Sequence, residues 1–151
     1  MGQGINCRCN KCGYEFGANL GVGFFYPSLV EETKAAMIKG ELGLQAKEFF
    51  EKYPDGTVDC SSVVAGCKKC KEYRAVPKLH LYMPKPSIRG KRPEIWNLDA
   101  YFDLEEKYKH VCDCGEELEI IEDAEEKAVS GDLPCLKCGG IMTLNDIIMW
   151  D

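Results

Sequence analysis

The fold is decided by a short stretch near the start of the chain, Cys9-Asn10-Lys11-Cys12-Gly13-Tyr14. It holds two cysteines that are separated by two residues and followed by glycine. A turn of this kind points two thiolates at one centre, and glycine adopts the positive φ that such a turn tends to need without steric cost. The stretch therefore predicts half of a four-cysteine metal site, which needs another cysteine pair to close.

Three further cysteine pairs lie along the chain, and we call the four pairs knuckles 1 to 4. Knuckle 1 is residues 9–12, and the others are Cys67-Lys68-Lys69-Cys70 (knuckle 2), Cys112-Asp113-Cys114 (knuckle 3) and Cys135-Leu136-Lys137-Cys138 (knuckle 4). Knuckle 3 is one residue shorter than the usual zinc pattern, and Lys71 rather than glycine follows knuckle 2. Taken in chain order, the pairs predict a first site formed by Cys9, Cys12, Cys67 and Cys70. They predict a second site formed by Cys112, Cys114, Cys135 and Cys138.

Two of these knuckles resemble those of a known class of metal scaffold. Knuckle 1 with its following Gly13-Tyr14 resembles the first knuckle of zinc-ribbon and rubredoxin-like proteins, and knuckle 4 with Gly139-Gly140 resembles a ribbon's second knuckle. The resemblance covers about half of the chain and implies a scaffold rather than an activity. Four thiolates suit zinc, so we expect two zinc ions, and the rubredoxin-like knuckle keeps iron open at the first site.

The ten cysteines could instead form disulfide bonds, as in a small secreted protein. Residues 1–25 show no signal peptide, and close cysteine pairs suit a metal better than disulfides. We therefore expect metal-bound thiolates and a cytoplasmic, reducing compartment. No run of residues approaches transmembrane length, so we expect no membrane association.

A helical insertion is expected between knuckles 1 and 2. The Ser28-x-x-Glu31 motif is a capping box that predicts a helix start, and Gly40 predicts the end of that helix. Apolar residues then recur with helical period from Leu42 to Tyr53, which predicts a second helix. These two helices explain why knuckles 1 and 2 lie so far apart.

The remaining segments read as strands and one linker. Residues 57–83 have strand patterns, and the prolines and glycine between 84 and 93 indicate a loop. The sequence thus predicts an α+β protein made of two small zinc-ribbon-type β units. The first, residues 1–86, carries the two-helix insertion, and the second is residues 87–151.

Charge is spread unevenly along the chain, whose net charge is −6. Residues 68–92 carry nine basic residues and one acidic residue, whereas residues 93–151 carry four basic and sixteen acidic residues. The basic segment is a candidate binding surface for a protein partner or, since Tyr73 and Tyr82 are interleaved with the basic residues, for nucleic acid. The overall acidity favours a protein partner. The candidate surface consists of Lys68, Lys69, Lys71, Tyr73, Arg74, Lys78, Arg89, Lys91 and Arg92.

Two cysteines lie outside the knuckles. Cys7 could replace Cys9 as a ligand, since either spacing makes a plausible turn. Cys60 with His80 as its base would be a minimal thiol enzyme, although a buried thiol is the more common role of such a cysteine. We therefore expect no catalytic constellation. The expected function is a binding or adaptor module in which two structural zinc sites hold the surface rigid, with a nucleic-acid-binding protein and an iron electron carrier as alternatives.

Overall fold

The computed structural model describes residues 2–88 and 97–150 of the chain. The described chain is α+β, with helices inserted between antiparallel strands, as the sequence predicts. None of the helices in this described part could span a lipid bilayer. The elements follow in the order β1 (Gly2–Cys9), β2 (Glu15–Gly21), α1 (Tyr26–Lys39), α2 (Leu44–Lys52), β3 (Thr57–Asp59), β4 (Ser62–Cys67), β5 (Glu72–Pro77), β6 (His80–Pro84), a 3-10 helix (Pro86–Ile88), α3 (Leu98–Tyr101), β7 (Phe102–Glu106), β8 (Glu119–Ile121), α4 (Ala124–Ser130) and β9 (Met142–Trp150).

Contacts within the chain define two units, and each is assembled from separate segments. Unit 1 comprises Met1–Gly23, Ser61–Pro77 and Lys109–Asp151, and unit 2 comprises Phe24–Cys60 and Lys78–Tyr108. This grouping differs from the expected division after residue 86, since both units take chain from either side of it. The reason lies in unit 1, where a strand from each end of the chain joins the same sheet.

Unit 1 is built on an antiparallel sheet in the order β5-β4-β2-β1-β9, with β8 paired to β4. β1 lies between β2 and β9, and Cys9 at its end is opposite Met142 of β9. Gly66 of β4 is opposite Glu119 of β8. The first pairing brings knuckle 4 beside knuckle 1, and the second brings knuckle 3 beside knuckle 2.

One face of β1 supplies much of the core of unit 1. Side chains alternate along a strand, so Ile5, Cys7 and Cys9 point to the same face, and all three are buried. Ala124 and Ala128 of α4 belong to the same cluster, because residues four apart share one side of a helix. The first cysteine of knuckle 1 is therefore anchored in the core rather than in a loose loop.

Unit 2 combines a three-stranded antiparallel sheet, in the order β3-β6-β7, with the helices α1 and α2. The two helices contact each other, and α1 also contacts β3. The predicted apolar stripe of the second helix is buried through Ala46, Phe49 and Phe50 of α2. The insertion expected between knuckles 1 and 2 is thus the helical part of unit 2.

The two predicted helices are confirmed, but the predicted start of the first one is wrong. α1 begins at Tyr26, so Ser28 lies inside its first turn and no side chain caps the helix. Pro27 explains this start, because proline suits the first positions of a helix, where its missing N–H needs no partner. Gly40 ends the helix in the left-handed conformation with φ 85°, as predicted.

Candidate metal centres

The described residues contain two groups of four cysteines, and we call the first of them site A. Its sulfur atoms lie within 4.8 Å of one another and come from Cys9, Cys12, Cys135 and Cys138. The Sγ atoms of Cys9 and Cys138 are 3.4 Å apart, and those of Cys12 and Cys135 are 3.6 Å apart. Site A therefore joins knuckle 1 to knuckle 4, the first and last cysteine pairs of the chain.

The second group, site B, joins knuckle 2 to knuckle 3. Its sulfur atoms come from Cys67, Cys70, Cys112 and Cys114 and also lie within 4.8 Å of one another. The Sγ atoms of Cys67 and Cys114 are 3.5 Å apart, and those of Cys70 and Cys112 are 3.8 Å apart. Both sites lie in unit 1.

The eight expected ligands are thus brought together, but the expected pairing of the knuckles is wrong. The sequence suggested two sites in tandem, knuckle 1 with 2 and knuckle 3 with 4. The structure nests them, because both pairs of site B lie between the two pairs of site A in the sequence. The physical cause is strand pairing, which places β9 beside β1 and β8 beside β4.

Each knuckle is a tight turn in which a main-chain N–H reaches back to the carbonyl of its first cysteine. Gly13 in knuckle 1 and Gly139 in knuckle 4 make this bond at 3.2 and 2.9 Å, with φ of 78° and 75°. Lys71 makes the same bond at 2.7 Å to the carbonyl of Cys67, with φ 57°. Lys71 thus fills the left-handed position where the other knuckles use glycine, a conformation that costs a non-glycine residue about 1–2 kcal/mol.

Main-chain N–H groups point at the sulfur atoms of both sites. In site A, Lys11 and Cys12 donate to Cys9 Sγ at 3.3 and 3.4 Å. Gly140 donates to Cys138 Sγ at 3.4 Å. In site B, Cys70 donates to Cys67 Sγ at 3.4 Å. Such donors stabilise thiolates and orient metal ligands.

These hydrogen bonds leave one sulfur of each site ready to ionise. The N–H of Cys12 is the largest cause that lowers the pKa of Cys9, to about 6. The N–H of Cys114 is the largest cause that lowers the pKa of Cys112, to about 7. In contrast, the neighbouring cysteine sulfurs, Cys114 foremost, raise the pKa of Cys70 to about 12. Each site therefore offers a thiolate that can receive a cation, whereas Cys70 must release a proton to bind one.

The sulfur geometry fits a tetrahedral metal ion. A zinc–sulfur bond of about 2.3 Å places the four sulfurs of a regular tetrahedron about 3.8 Å apart. The four sulfur pairs named above lie between 3.4 and 3.8 Å apart, and all ten cysteines are free of disulfide bonds. Both groups could therefore hold a metal ion after a small outward adjustment.

The candidate basic surface is divided by the structure. Lys68, Lys69 and Lys71 are exposed beside site B. Arg74 is half-buried, and its Nη2 atom donates to Cys112 Sγ at 3.3 Å. Tyr73 is not a surface residue, because its ring is buried in the core of unit 1.

The remaining candidates of the basic surface are Lys78, which lies in unit 2, and three residues outside the described part of the chain. In unit 2, Lys78 forms an ion pair with Asp59 at 3.8 Å, and its side chain is only 15% exposed. Asp59 ends β3 and is paired with His80 of β6, two residues after Lys78. The last three candidates, Arg89, Lys91 and Arg92, lie outside the described residues. The exposed part of the described basic surface is therefore the set of lysines at knuckle 2.

The two cysteines outside the knuckles are both buried thiols. Cys7 points into the core of unit 1 and belongs to neither cysteine group, so Cys9 rather than Cys7 is the candidate ligand of knuckle 1. Burial raises the pKa of Cys7 and of Cys60 to about 11. His80 accepts a hydrogen bond at its Nδ1 atom from the N–H of Tyr108, at 3.2 Å. A protonated, buried Cys60 is a poor nucleophile.

The sequence analysis did not predict the contact between the segments that follow knuckle 1 of site A and knuckle 2 of site B. Tyr14 follows Cys12 by two residues, and Tyr73 follows Cys70 by three. The N–H of Tyr73 donates to the hydroxyl oxygen of Tyr14 at 2.9 Å. The signal was available in the sequence, since a tyrosine comes shortly after the second cysteine of each of these two knuckles.

Comparison with known proteins gives no match for this chain, whether by family model, by curated sequence or by solved structure. The assignment of the two sites therefore rests on their geometry and chemistry.

Proposed function

We propose that this chain is a zinc-binding protein with two structural sites that make unit 1 a rigid binding module. The observation that carries the proposal is the convergence of eight sulfur atoms from distant segments into two groups of four. Four thiolates complete the coordination shell of zinc and leave no position for water or substrate, which favours a structural role. Bound zinc would supply cross-links between segments of the chain that the strands alone hold together.

A protein partner is the favoured ligand of this module. The exposed lysines at knuckle 2 offer positive charge, but Lys68 lies 3.7 Å from Glu119, which offsets part of it. Tyr73 is buried and unavailable to stack on a base. Nucleic-acid binding is the second candidate, and the exposed Lys69 and Lys71 are the observation that supports it.

Iron is the alternative metal, because four thiolates suit a rubredoxin-like electron carrier as well as zinc. Ligand chemistry also bears on the compartment. Thiolate ligands must stay reduced, so we propose that the protein works in a reducing compartment such as the cytoplasm.

The deciding experiment is the metal content of the purified chain, expressed without added metal. We expect two zinc atoms per chain and no colour. A red protein with iron would support electron transfer instead. The Cys138→Ser and Cys114→Ser variants should each lose metal, the first from site A and the second from site B. A wild-type chain with no metal and with oxidised cysteines would overturn the proposal.

A further inference from the structure

We infer that sites A and B form a coupled pair, so that metal at one site raises the affinity of the other. This inference rests on the proposed metal-binding function. It adds that the metal affinity of each site depends on whether the other site is filled. The coupling element is the hairpin of β4 and β5, which carries knuckle 2 of site B and contacts both halves of site A.

Tyr73 on β5 is the central contact. Its ring is 5% exposed and lies 5.0 Å from the ring of Phe16, measured between centroids. Its N–H donates to the hydroxyl oxygen of Tyr14 at 2.9 Å, and its own hydroxyl donates to the carbonyl of Pro134 at 2.7 Å. Tyr14 closely follows knuckle 1, and Pro134 directly precedes knuckle 4. One residue of the site B hairpin therefore binds the chain beside each half of site A.

Leu136, inside knuckle 4, makes the second contact. A Cβ atom placed on Gly66, the residue before Cys67, would lie 3.2 Å from Leu136 Cδ1 and 3.2 Å from the ring of Tyr73. The absence of a side chain at Gly66 thus lets knuckle 4 approach the strand that leads into knuckle 2. The close approach means that knuckle 4 cannot shift without disturbing this strand.

Lys137, also inside knuckle 4, adds weaker electrostatic links. Its Nζ atom lies 3.8 Å from a carboxylate oxygen of Glu72 and 5.0 Å from the centre of the Tyr14 ring. Both charged side chains are about half exposed, so solvent screens the ion pair. The buried contacts of Tyr73 and Leu136 therefore carry most of the coupling.

The nesting of site B inside the loop of site A changes the loop-closure entropy too little to couple the two sites by itself. Site A closes a loop of 122 residues between Cys12 and Cys135, and site B closes one of 41 residues inside it. Filling site B shortens the outer loop by a third, which changes its closure probability by less than about twofold. Coupling beyond that factor must come from the side-chain contacts.

These contacts couple the sites because metal at one site orders the β4–β5 hairpin that the other site also needs. Without metal at site A, strand pairing alone holds knuckles 1 and 4 together, so the two hydrogen-bond partners of Tyr73 are held less firmly. The hairpin that carries knuckle 2 is then less well ordered, and metal binding at site B must supply that order. Coupled sites typically influence each other by about 5- to 150-fold, and the effect is reciprocal. We expect a factor of about tenfold here.

The first test measures zinc affinity at site B by competition with a chelator, with alkylation of Cys67 and Cys114 peptides as the readout. Cys138→Ser disables site A and changes no ligand of site B. We expect site B of this variant to bind zinc about tenfold more weakly than site B of the wild type. Equal affinity in the two proteins would overturn the coupling while leaving metal binding intact. Absence of metal from the wild type would instead overturn the proposed function.

A second variant keeps all eight cysteines, so it tests the coupling even if Cys138→Ser fails to fold. Tyr73→Phe removes the hydroxyl bonded to Pro134, and we expect it to weaken zinc binding at both sites. Tyr53→Phe is the matched control, since the Tyr53 hydroxyl donates to Glu105 at 3.4 Å within unit 2. An effect of Tyr73→Phe that is confined to one site, or is equal to that of Tyr53→Phe, would contradict the inference.

Discussion

The guanidinium of Arg74 donates a hydrogen bond to a ligand of site B, with its Nη2 atom 3.3 Å from Cys112 Sγ. Arg74 lies on β5 and Cys112 in knuckle 3, so the bond joins the two halves of site B. A divalent ion held by four thiolates leaves the site with net negative charge, which a nearby cation offsets.

Arg74→Met should therefore weaken metal binding at site B by about tenfold, because hydrogen-bond partners of metal ligands typically contribute a factor of 10–100. Chelator competition with alkylation of Cys112 measures it. Lys68→Met is the control, since Lys68 is on knuckle 2 but its side chain is 81% exposed and pairs with Glu119. If both variants weakened binding equally, general charge rather than the hydrogen bond to sulfur would be responsible.

Lys71→Gly should stabilise unit 1, because Lys71 holds a left-handed conformation with φ 57° that glycine adopts without strain. The gain in the free energy of unfolding should be about 0.5–1 kcal/mol after the greater entropy of glycine in the unfolded chain is counted. Thermal unfolding of the metal-saturated protein measures it.

Lys69→Gly provides the comparison for this glycine variant. Lys69 lies in the same turn but has no positive φ. Glycine at position 69 relieves no strain and only raises the conformational entropy of the unfolded chain, so Lys69→Gly should lower the free energy of unfolding. Equal shifts of both variants in the same direction would contradict the strain argument.

Cys60 should make stability fall at alkaline pH. Burial raises the pKa of its thiol from 9.0 to about 11. Because the folded-state pKa is the higher one, the stabilising contribution is complete below about pH 9 and is lost as the pH rises to about 11. Cys60→Val should flatten this part of the pH profile of the free energy of unfolding, measured in denaturant with metal present.

Thr33→Val is the control for the pH profile. The side chain of Thr33 hydrogen-bonds Cys60, and this variant removes that bond while keeping the thiol. The steep alkaline fall should persist in it. A profile for Cys60→Val that matches the wild type would show that other groups cause the fall.

Metal removal should expose Cys7 but not Cys60. Cys7 lies in the core cluster of unit 1 with the ligands Cys9 and Cys135, whereas Cys60 lies in unit 2. A structural zinc ion contributes on the order of 10 kcal/mol to the folding of small peptides, so its loss should open the core of unit 1. Addition of a chelator should raise the alkylation rate of Cys7 by about tenfold or more, through local unfolding. Equal acceleration at Cys60 would mean that both units depend on the metal.

Much of the candidate site could be read from local spacing. A C-x2-C turn points both thiolates at one centre whatever the rest of the chain does, and this spacing predicted that Cys9, Cys12, Cys135 and Cys138 belong to four-cysteine groups. Helical periodicity likewise predicted α2, because apolar residues that recur every 3.6 positions form a pattern within the helix's own sequence. The burial of Tyr73 and the partial burial of Lys78 were not predicted, because both depend on distant partners such as Pro134 and Asp59.

The α+β class, the two inserted helices and the eight candidate sulfur ligands could all be predicted from the sequence. Only the tertiary structure decided which knuckles share a site. Every knuckle offers equivalent ligands, and loop entropy hardly distinguishes the choices: closing 122 residues at site A rather than the 54 between Cys12 and Cys67 costs only about 0.7 kcal/mol more. The register of β1 with β9 and of β4 with β8 is what selects the nested arrangement, because long-range strand pairing fixes the positions of the knuckles that follow or precede each strand.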